Sequence, residues 1–364
     1  MPTVWVRFGD RRDYPIRVQP GALSRTGAWM RQRVAGRTAC LITHPALQRL
    51  YGLRVSASLR AAGFDVLTLL VPAGETSKSL AWAERLISSM LRRRLDRSAC
   101  VVALGGGVVG DLAGFVASVY LRGIEFVQIP TTLLAQVDSS VGGKVAVNHA
   151  LGKNLIGAFL QPRLVVTDPE TLRSLPRRQF RSGLAEMIKA AIIADAAFFK
   201  YLEKNLPLLL ARDPKALSRA LAWTCAIKGR VVEQDETEKN LRAILNYGHT
   251  FGHALETYHH YKQYLHGEAV AVGMVIAARL AQQTGLLSQT DSERQVRLIK
   301  MAGLPTVGKG ENIQAIMSLM KIDKKARSGQ NSFVLTPKIG GARIVRKIPP
   351  FSVQQALKTV LRKA

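Results

Sequence analysis

Three short segments far apart in the chain carry side chains suited to metal chemistry: Gly-Leu-Ala-Glu-Met-Ile-Lys at 183–189, Asn-Tyr-Gly-His-Thr-Phe-Gly-His at 246–253, and His-Gly-Glu at 266–268. Glu186, His249 and His266 offer one carboxylate and two imidazoles, the donors with which a catalytic Zn²⁺ is held while a coordination position stays open. Co²⁺ suits the same nitrogen and oxygen donors. Lys189 follows Glu186 by three residues and shares its helical face, and His249 and His253, four apart, share another. Thr250 rather than glutamate follows His249, so the metalloprotease helix signature is absent. Any one of these histidines alone reads equally well as a core or capping residue. Together, in Gly-rich and otherwise apolar sequence, they favour a metal centre.

A second group of residues suits a nucleotide. The run from Gly105 through Gly106, Gly107, Val108, Val109 and Gly110 to Asp111 follows the apolar stretch Val101–Leu104 and leads into a helical pattern. Missing side chains there would let backbone N–H groups approach a pyrophosphate, although a tight Gly-rich turn has the same composition. Two further strand ends carry polar groups: Pro130-Thr131-Thr132, and Gly74-Glu75-Thr76-Ser77-Lys78, which offers a carboxylate for a ribose and an ammonium for a phosphate. Asp138 to Lys144 and Gly152-Lys153-Asn154 add two lysines beside glycines, plausible clamps for phosphate or carboxylate. Arg122, Lys228, Arg242 and Asn246 lie near other motif segments, so a pocket holding a metal, a dinucleotide and a polyanionic substrate is expected.

These residues need a scaffold, and its pattern is readable. Short β-branched runs at Ala39–Thr43, Val66–Val71, Cys100–Leu104, Phe126–Ile129 and Leu164–Thr167 alternate with helical spacings such as Leu80, Ala83, Leu86, Ile87, Met90 and Leu91. Such alternation predicts a doubly wound parallel sheet, an α/β nucleotide-binding domain over residues 1–180. Beyond it the spacing predicts helices over Leu184–Leu202, Ala216–Glu233, His249–Thr257 and Glu268–Gln283, hence a mainly helical metal- and substrate-binding domain over 181–364. Phe333–Leu335 and Arg343–Val345, around Gly340-Gly341, predict a small hairpin.

At 364 residues and 47% apolar composition the chain can bury a core in each domain. The N-terminus lacks an apolar signal core, and the longest apolar stretch, Val101 to Leu121, is broken by glycines and Asp111, so neither export nor a membrane span is expected. Cys40, Cys100 and Cys225 are widely spaced, as buried reduced thiols of a cytoplasmic protein would be. The net charge of +27 is dispersed, without the aromatic interleaving of a nucleic-acid surface, so nucleic acid is not the expected partner.

Six segments together, GGGVVGDLAGFVAS, YLRGIEFVQIPTTLLAQVDSSVGGK, GKNLIGAF, GLAEMIKAAII, NYGHTFGHALE and LHGEAVAVGM, resemble the 3-dehydroquinate synthase family of the sugar phosphate cyclase group, over roughly residues 70–330. The resemblance implies a lyase of the shikimate pathway that converts 3-deoxy-D-arabino-heptulosonate 7-phosphate to 3-dehydroquinate and phosphate. The implied steps are transient oxidation by NAD, phosphate elimination, re-reduction and intramolecular aldol closure. It implies a homodimer, with a metal at Glu186, His249 and His266. NAD is implied at Gly74, Glu75, Thr76, Ser77, Lys78, the glycine turn from Gly106 to Asp111, Thr131, Thr132, Lys144, Lys153, and the loop Thr171, Leu172, Arg173, Ser174. Catalytic roles fall on Asp138, Lys144, Asn154, Lys189 and His253. Substrate contacts fall on Arg122, from the same chain or its partner, Lys228, Arg242, Asn246 and a lysine of Asp323-Lys324-Lys325, Lys324 being the expected one.

Two positions depart from the family pattern. His44-Pro45 stands where relatives tend to carry Asn or Asp beside the adenosine ribose, and Asn240 stands where glycine is frequent. The nearest alternatives are another sugar phosphate cyclase and, on the same architecture, a metal-dependent alcohol or glycerol dehydrogenase. The dehydrogenase would not need Lys144, Lys153, Arg242 and Arg122 around a phosphate and a carboxylate.

Overall fold

The structure, a computed structural model, describes residues 3–238, 241–326 and 332–361, the side chains of 321–326 excepted. Lys324 and Lys325 therefore contribute only backbone to this description, and Asn240 lies outside the described residues. The chain divides into two compact units, Met1–Leu175 with Leu217–Thr237, and Pro176–Ala216 with Glu238–Ala364.

The first unit is built on a seven-stranded sheet. In chain order its strands are β1 (Thr3–Val6), β2 (Tyr14–Val18), β3 (Thr38–Thr43), β4 (Asp65–Leu70), β5 (Cys100–Gly105) and β6 (Glu125–Pro130); a separate hairpin of β7 (Lys144–His149) and β8 (Gly152–Phe159) precedes β9 (Leu164–Thr167). The sheet order is β1-β2-β9-β6-β5-β3-β4, and every pairing is parallel except β1 with β2. All five strands expected from β-branched runs are present. The edge strand β1, its neighbour β2 and the β7–β8 hairpin lie outside the expected runs: β1 spans only four residues, β2 carries Pro15 and Arg17, and β8 mixes Gly, Lys and Asn with its apolar residues.

Alternation explains how the sheet is buried on both faces. Cys40, Ile42, Val101, Ala103 and Phe126 pack on one side with Leu112, Ala113 and Val116 of the helix Gly107–Val119. Ala39, Leu41, Val102, Leu104, Val127 and Ile129 pack on the other with Val55 and Leu59 of the helix Leu53–Ala61. Period-two strands with apolar residues at every position require such double covering. The chain leaves β3 for β4 over one face and β5 for β6 over the other, so the adjacent carboxyl ends of β3 and β5 form the topological switch point where open α/β sheets bind ligands.

A single boundary after residue 180 does not describe the division of the chain, because Leu217–Thr237 returns to the first unit. Specific contacts explain the return. Cys225 Sγ donates to the Gln136 carbonyl (3.2 Å), the Arg7 N–H donates to Glu233 (2.8 Å), and a Cβ on Gly229 would stand 3.3 Å from Val6.

The second unit is mainly helical. The predicted helix 184–202 is two helices, Arg177–Ala194 and Ala196–Leu210, separated at Asp195, whose extended backbone and carboxylate cap the second by accepting from the Ala197 and Phe198 N–H groups. His249–Tyr258 and His266–Gln283 follow, the latter buried on nearly every side as its apolar sequence demands. The C-terminal hairpin is present as β10 (Ser332–Lys338) and β11 (Gly341–Arg346), with Phe333 opposite Val345. No helix among the described residues is long and apolar enough to cross a membrane.

Glycines let these helices meet backbone to backbone. A Cβ on Gly273 would lie 2.0 Å from the Gly248 carbonyl oxygen, and one on Gly267 would lie 1.8 Å from the Ser182 carbonyl oxygen. Gly248 itself has φ 79°, which only glycine adopts without strain. Gly273→Ala is therefore expected to force His249–Tyr258 away from His266–Gln283, at a cost of about 1–3 kcal/mol for overpacking. Denaturant unfolding monitored by circular dichroism would measure it, and an unchanged midpoint would contradict the close crossing.

Candidate functional site

The second unit brings Glu186, His249 and His266 together from three helices: Glu186 lies mid-helix in Arg177–Ala194, and the histidines are the first residues of the two glycine-crossed helices. Glu186 Oε1 lies 3.7 Å from His249 Nε2 and 3.5 Å from His266 Nε2, and one ligand atom from each residue falls within 4.8 Å of the others. Two donors on a tetrahedral ion with bonds of ~2.0–2.1 Å stand roughly 3.3 Å apart, so both Glu186–imidazole distances are within a few tenths of an ångström of the spacing that Zn²⁺ or Co²⁺ needs. Glu186 is 2% exposed, and neither of its oxygens receives a hydrogen bond of ordinary geometry; Lys189 Nζ makes an ion-pair contact to Oε2. A buried carboxylate with unfilled acceptor capacity, facing two imidazole nitrogens, fits a cation.

The local field supports the same reading. Burial alone would raise the Glu186 carboxyl, but the Lys189 ammonium and then His249 and His266 outweigh it and hold it well below the ordinary range. His249 is pushed well below its ordinary value by burial and by Lys189, and so stays a neutral donor. Burial would also lower His266, yet the Glu186 and Glu256 carboxylates raise it to about 10. His249 Nδ1 lies 3.2 Å from the Tyr247 carbonyl, and His266 Nδ1 lies 3.3 Å from Glu256 Oε1. His253 completes the cluster, its ring centroid 5.4 Å from that of His249 and 6.2 Å from that of His266. Arg242 is buried in the turn Leu241–Asn246, and Asn246 donates to Glu238 (3.1 Å).

In the first unit, the Gly-rich turn sits at the switch point. A Cβ on Gly105 would lie 2.6 Å from Val109 Cβ and one on Gly106 would lie 2.9 Å from Thr132 Cγ2, too close without a shift, and one on Gly107 would lie 3.2 Å from Ser139 Oγ, a tight contact, so the cradle is closely packed. Val108, Val109, Gly110 and Asp111 lie in the first turn of the helix Gly107–Val119, which begins at the carboxyl end of β5; the Gly110 N–H donates to the Gly106 carbonyl (3.0 Å), and the N–H groups before it are the ones such a helix start offers a ligand. Thr43 Oγ1 donates to the Leu104 carbonyl (2.7 Å) and ties the ends of β3 and β5 together.

Around this cradle the expected polar groups converge. Lys78, 5% exposed, donates to Asp111 Oδ2 (2.5 Å) and also to Asn154 Oδ1. Burial raises the Asp111 carboxyl against the pull of Lys78. Asn148 donates to Glu75 (2.8 Å) and accepts from the Asn154 N–H (3.0 Å). Ser77 Oγ closes the Gly74–Lys78 turn by donating to the Gly74 carbonyl (2.8 Å), with Thr76 inside that turn. Thr131 donates its N–H to the Gly105 carbonyl (2.9 Å), and Thr132 Oγ1 caps Ala135 (3.2 Å). Gln136, buried, donates to the Pro130 and Asp168 carbonyls and to Thr171 Oγ1 at 3.0–3.1 Å, while Tyr51 bonds Ser174 (2.6 Å), which fixes the turn carrying Leu172 and Arg173.

The remaining residues are more dispersed. Lys228 Nζ pairs with Asp138 Oδ1 (2.5 Å), so these two belong to the first unit. Lys144 and Lys153 are exposed on β7 and β8, and Arg122 is exposed at φ 69° after the helix Gly107–Val119. The Lys324 side chain lies outside the described ones. Residue-by-residue reading missed Asn148, Gln136 and Glu256. Glu256 had a signal, since it stands two helical turns after His249 on the same face. Asn148 and Gln136 had none, because strand and loop spacing does not disclose cross-chain hydrogen bonds.

The comparisons with known proteins agree with this arrangement. The family model for the 3-dehydroquinate synthase N-terminal region matches residues 68–182, and that for the C-terminal region matches 183–326. The 3-dehydroquinate synthase of Desulforamulus reducens is 51% identical over 96% of this chain and 97% of its own. Among solved structures, 2-epi-5-epi-valiolone synthase from Streptomyces hygroscopicus, with NAD⁺ and Zn²⁺ bound, superposes with a TM-score of 0.86 at 28% identity over 95% of this chain and 96% of its own. A 2-deoxy-scyllo-inosose synthase complexed with carbaglucose-6-phosphate, NAD⁺ and Co²⁺ gives a TM-score of 0.89 at 26% identity, over 99% of this chain and 100% of that one. With a buried Glu-His-His set in one unit, a glycine cradle in the other and relatives aligned along nearly its whole length, the chain belongs to the 3-dehydroquinate synthase family.

Proposed function

We propose that the protein is a 3-dehydroquinate synthase, a carbon–oxygen lyase that converts 3-deoxy-D-arabino-heptulosonate 7-phosphate to 3-dehydroquinate and phosphate with catalytic NAD and one Zn²⁺, Co²⁺ being the alternative ion. The observation that carries the reading is the convergence of Glu186, His249 and His266 in a chain 51% identical to a 3-dehydroquinate synthase over nearly its full length. When bound, the ion supplies Lewis-acid polarisation of a substrate hydroxyl, and NAD supplies a hydride acceptor that returns what it takes.

The chain's own residues then have definable work. Glu186, His249 and His266 are the ion's ligands, and Lys189, in contact with Glu186, offsets its charge. The cradle Gly106–Asp111 and the Gly74–Lys78 turn bind the dinucleotide, with Lys78 held in place by Asp111 and Asn154. Arg242 and Lys228 are the cations for the substrate carboxylate, and Lys144, Asn154, His253 and Arg122 are the groups for its phosphate, while Lys153 belongs with the dinucleotide. Positive groups around that phosphate favour its departure, since they gain most as charge builds there.

The reading extends to assembly and location. The edge strand β8 and its turn expose Leu151, Leu155 and Phe159 at 86%, 62% and 47%, and exposed apolar strand surface of this kind suits burial against a second copy. A homodimer is expected, and sedimentation equilibrium giving a monomer mass at micromolar concentration would refute it. The buried free thiols of Cys40, Cys100 and Cys225 suit a reducing cytoplasm.

Turnover tests the chemistry. Protein stripped of NAD is expected to be inactive on the heptulosonate phosphate until NAD⁺, sub-stoichiometric to substrate, restores many turnovers, with phosphate release and carbocycle formation followed by NMR. NADH accumulating in proportion to product would point instead to a dehydrogenase.

The metal assignment makes a separate prediction. Glu186→Gln, His249→Ala and His266→Ala are each expected to lose both bound Zn²⁺, by atomic absorption, and activity; full occupancy in all three would refute the ligand set. Only neutral imidazole ligates, and His266 in the ion-free protein stays protonated up to about 10 rather than its ordinary 6.5. Glu186 is already ionised and His249 already neutral, so Zn²⁺ uptake near neutral pH should release one proton, from His266. Affinity should accordingly rise about tenfold per pH unit as pH climbs from neutral toward about 10, and level off above it. The sign for stability is opposite, because the stabilisation from protonated His266 is complete below the unfolded value and is lost as pH rises through about 10. Calorimetry in buffers of different ionisation enthalpy counts the proton, and a count of zero at neutral pH would contradict the assignment.

A further inference from the structure

We infer that Glu256 is a positioning residue of the metal centre: its carboxylate holds the Nδ1 edge of His266 and so turns the Nε2 edge toward Glu186 and His249. The inference rests on the reading above that Glu186, His249 and His266 are the ion's ligands. Glu256 is 8% exposed, and its Oε1 lies 3.3 Å from His266 Nδ1, while His266 Nε2 lies 3.5 Å from Glu186 Oε1. The imidazole thus has an oxygen acceptor at each edge, and the proton on Nδ1 is the one that leaves Nε2 free to donate its lone pair.

The other histidine is held in the same way. His249 Nδ1 lies 3.2 Å from the Tyr247 carbonyl, and its Nε2 lies 3.7 Å from Glu186 Oε1. The two anchors differ in need. His249 lies 88% out of solvent within the crossing of two helices, whereas the His266 side chain is 31% exposed at the first position of its helix and has more room to rotate. A carboxylate anchor gives that more exposed ring a fixed direction and adds negative charge, which strengthens the imidazole as a donor. Glu256 stands two turns after His249 on the same helix, so one element provides a ligand and the support of another. Its own approach to an ion is the rival role, since His253, Glu256 and His266 also place ligand atoms within 4.8 Å of one another.

The test uses the full-length wild type, Glu256→Ala and Glu256→Gln. Zn²⁺ and Co²⁺ dissociation constants are measured by competition with a chromophoric chelator, ions per chain by atomic absorption, the Co²⁺ absorption spectrum for ligand geometry, and NAD⁺ affinity by calorimetry as a control on the fold. Glu256→Ala is expected to weaken Zn²⁺ binding about 10- to 100-fold, and Glu256→Gln less, because its amide oxygen still accepts from Nδ1–H. Both should shift the Co²⁺ spectrum, bind NAD⁺ as wild type does and hold at most one ion per chain. If Glu256→Ala does not fold, Glu256→Gln decides alone through its dissociation constant and spectrum. Wild-type constants and spectra in the variants would overturn the inference, as would a second ion in the wild type that the variants lose. A wild type that binds no ion at all would instead remove the ligand assignment beneath it.

Discussion

The second unit is organised around one buried charge. Removing a carboxylate from water costs several kcal/mol unless it is paired and its lone pairs are used, and Glu186 is 2% exposed. Lys189, itself 4% exposed, supplies the pairing charge one helical turn away, but the carboxylate oxygens still lack hydrogen bonds of ordinary geometry. Two imidazole nitrogens at 3.5 and 3.7 Å complete a donor set suited to a small divalent cation. Much else follows from bringing these three helices together. The glycine contacts at Gly248, Gly252, Gly267 and Gly273 remove side-chain bulk where three helices must touch, and the remaining helix faces are apolar so that nothing else competes for the carboxylate.

The first unit repeats the logic with the sign reversed. Lys78 is a buried cation, and Asp111 and Asn154 satisfy it while leaving the ammonium beside a cradle of three glycines. The parallel sheet places that cradle where the direction of winding changes, between the carboxyl ends of β3 and β5. His44 follows β3 there, with Nδ1 buried and unpartnered, and burial lowers its ring below the ordinary value.

The net charge of +27 has only a partial account. Several arginines spend their guanidinium faces on aromatic rings, as Arg85 does on Trp82 at 4.7 Å, Arg12 on Phe8 at 5.1 Å and Arg33 on Trp5 at 5.3 Å, and this stabilises them on the surface without a carboxylate.

Much of the fold was readable in the residues. Five strands of the parallel sheet stood out because they are β-branched and apolar, four of them buried on both faces and the edge strand β4 only partly, and the candidate metal ligands stood out because Glu186, His249 and His266 are unusual polar residues in apolar, glycine-rich helices. The break at Asp195 was hidden because apolar periodicity runs across it, and an N-cap is visible only as a carboxylate accepting from two backbone N–H groups. The return of Leu217–Thr237 to the first unit and the Asn148–Glu75 pair depend on residues distant in sequence finding one another. Sequence by itself therefore determined the classes of element, the family and the candidate metal donors, because those are set by local periodicity and by side-chain chemistry. Tertiary structure alone decided which edge of each imidazole faces Glu186, which lysine is buried and which helix joins which unit, because those follow from packing and from the pairing of buried charge, neither of which has a fixed spacing along the chain.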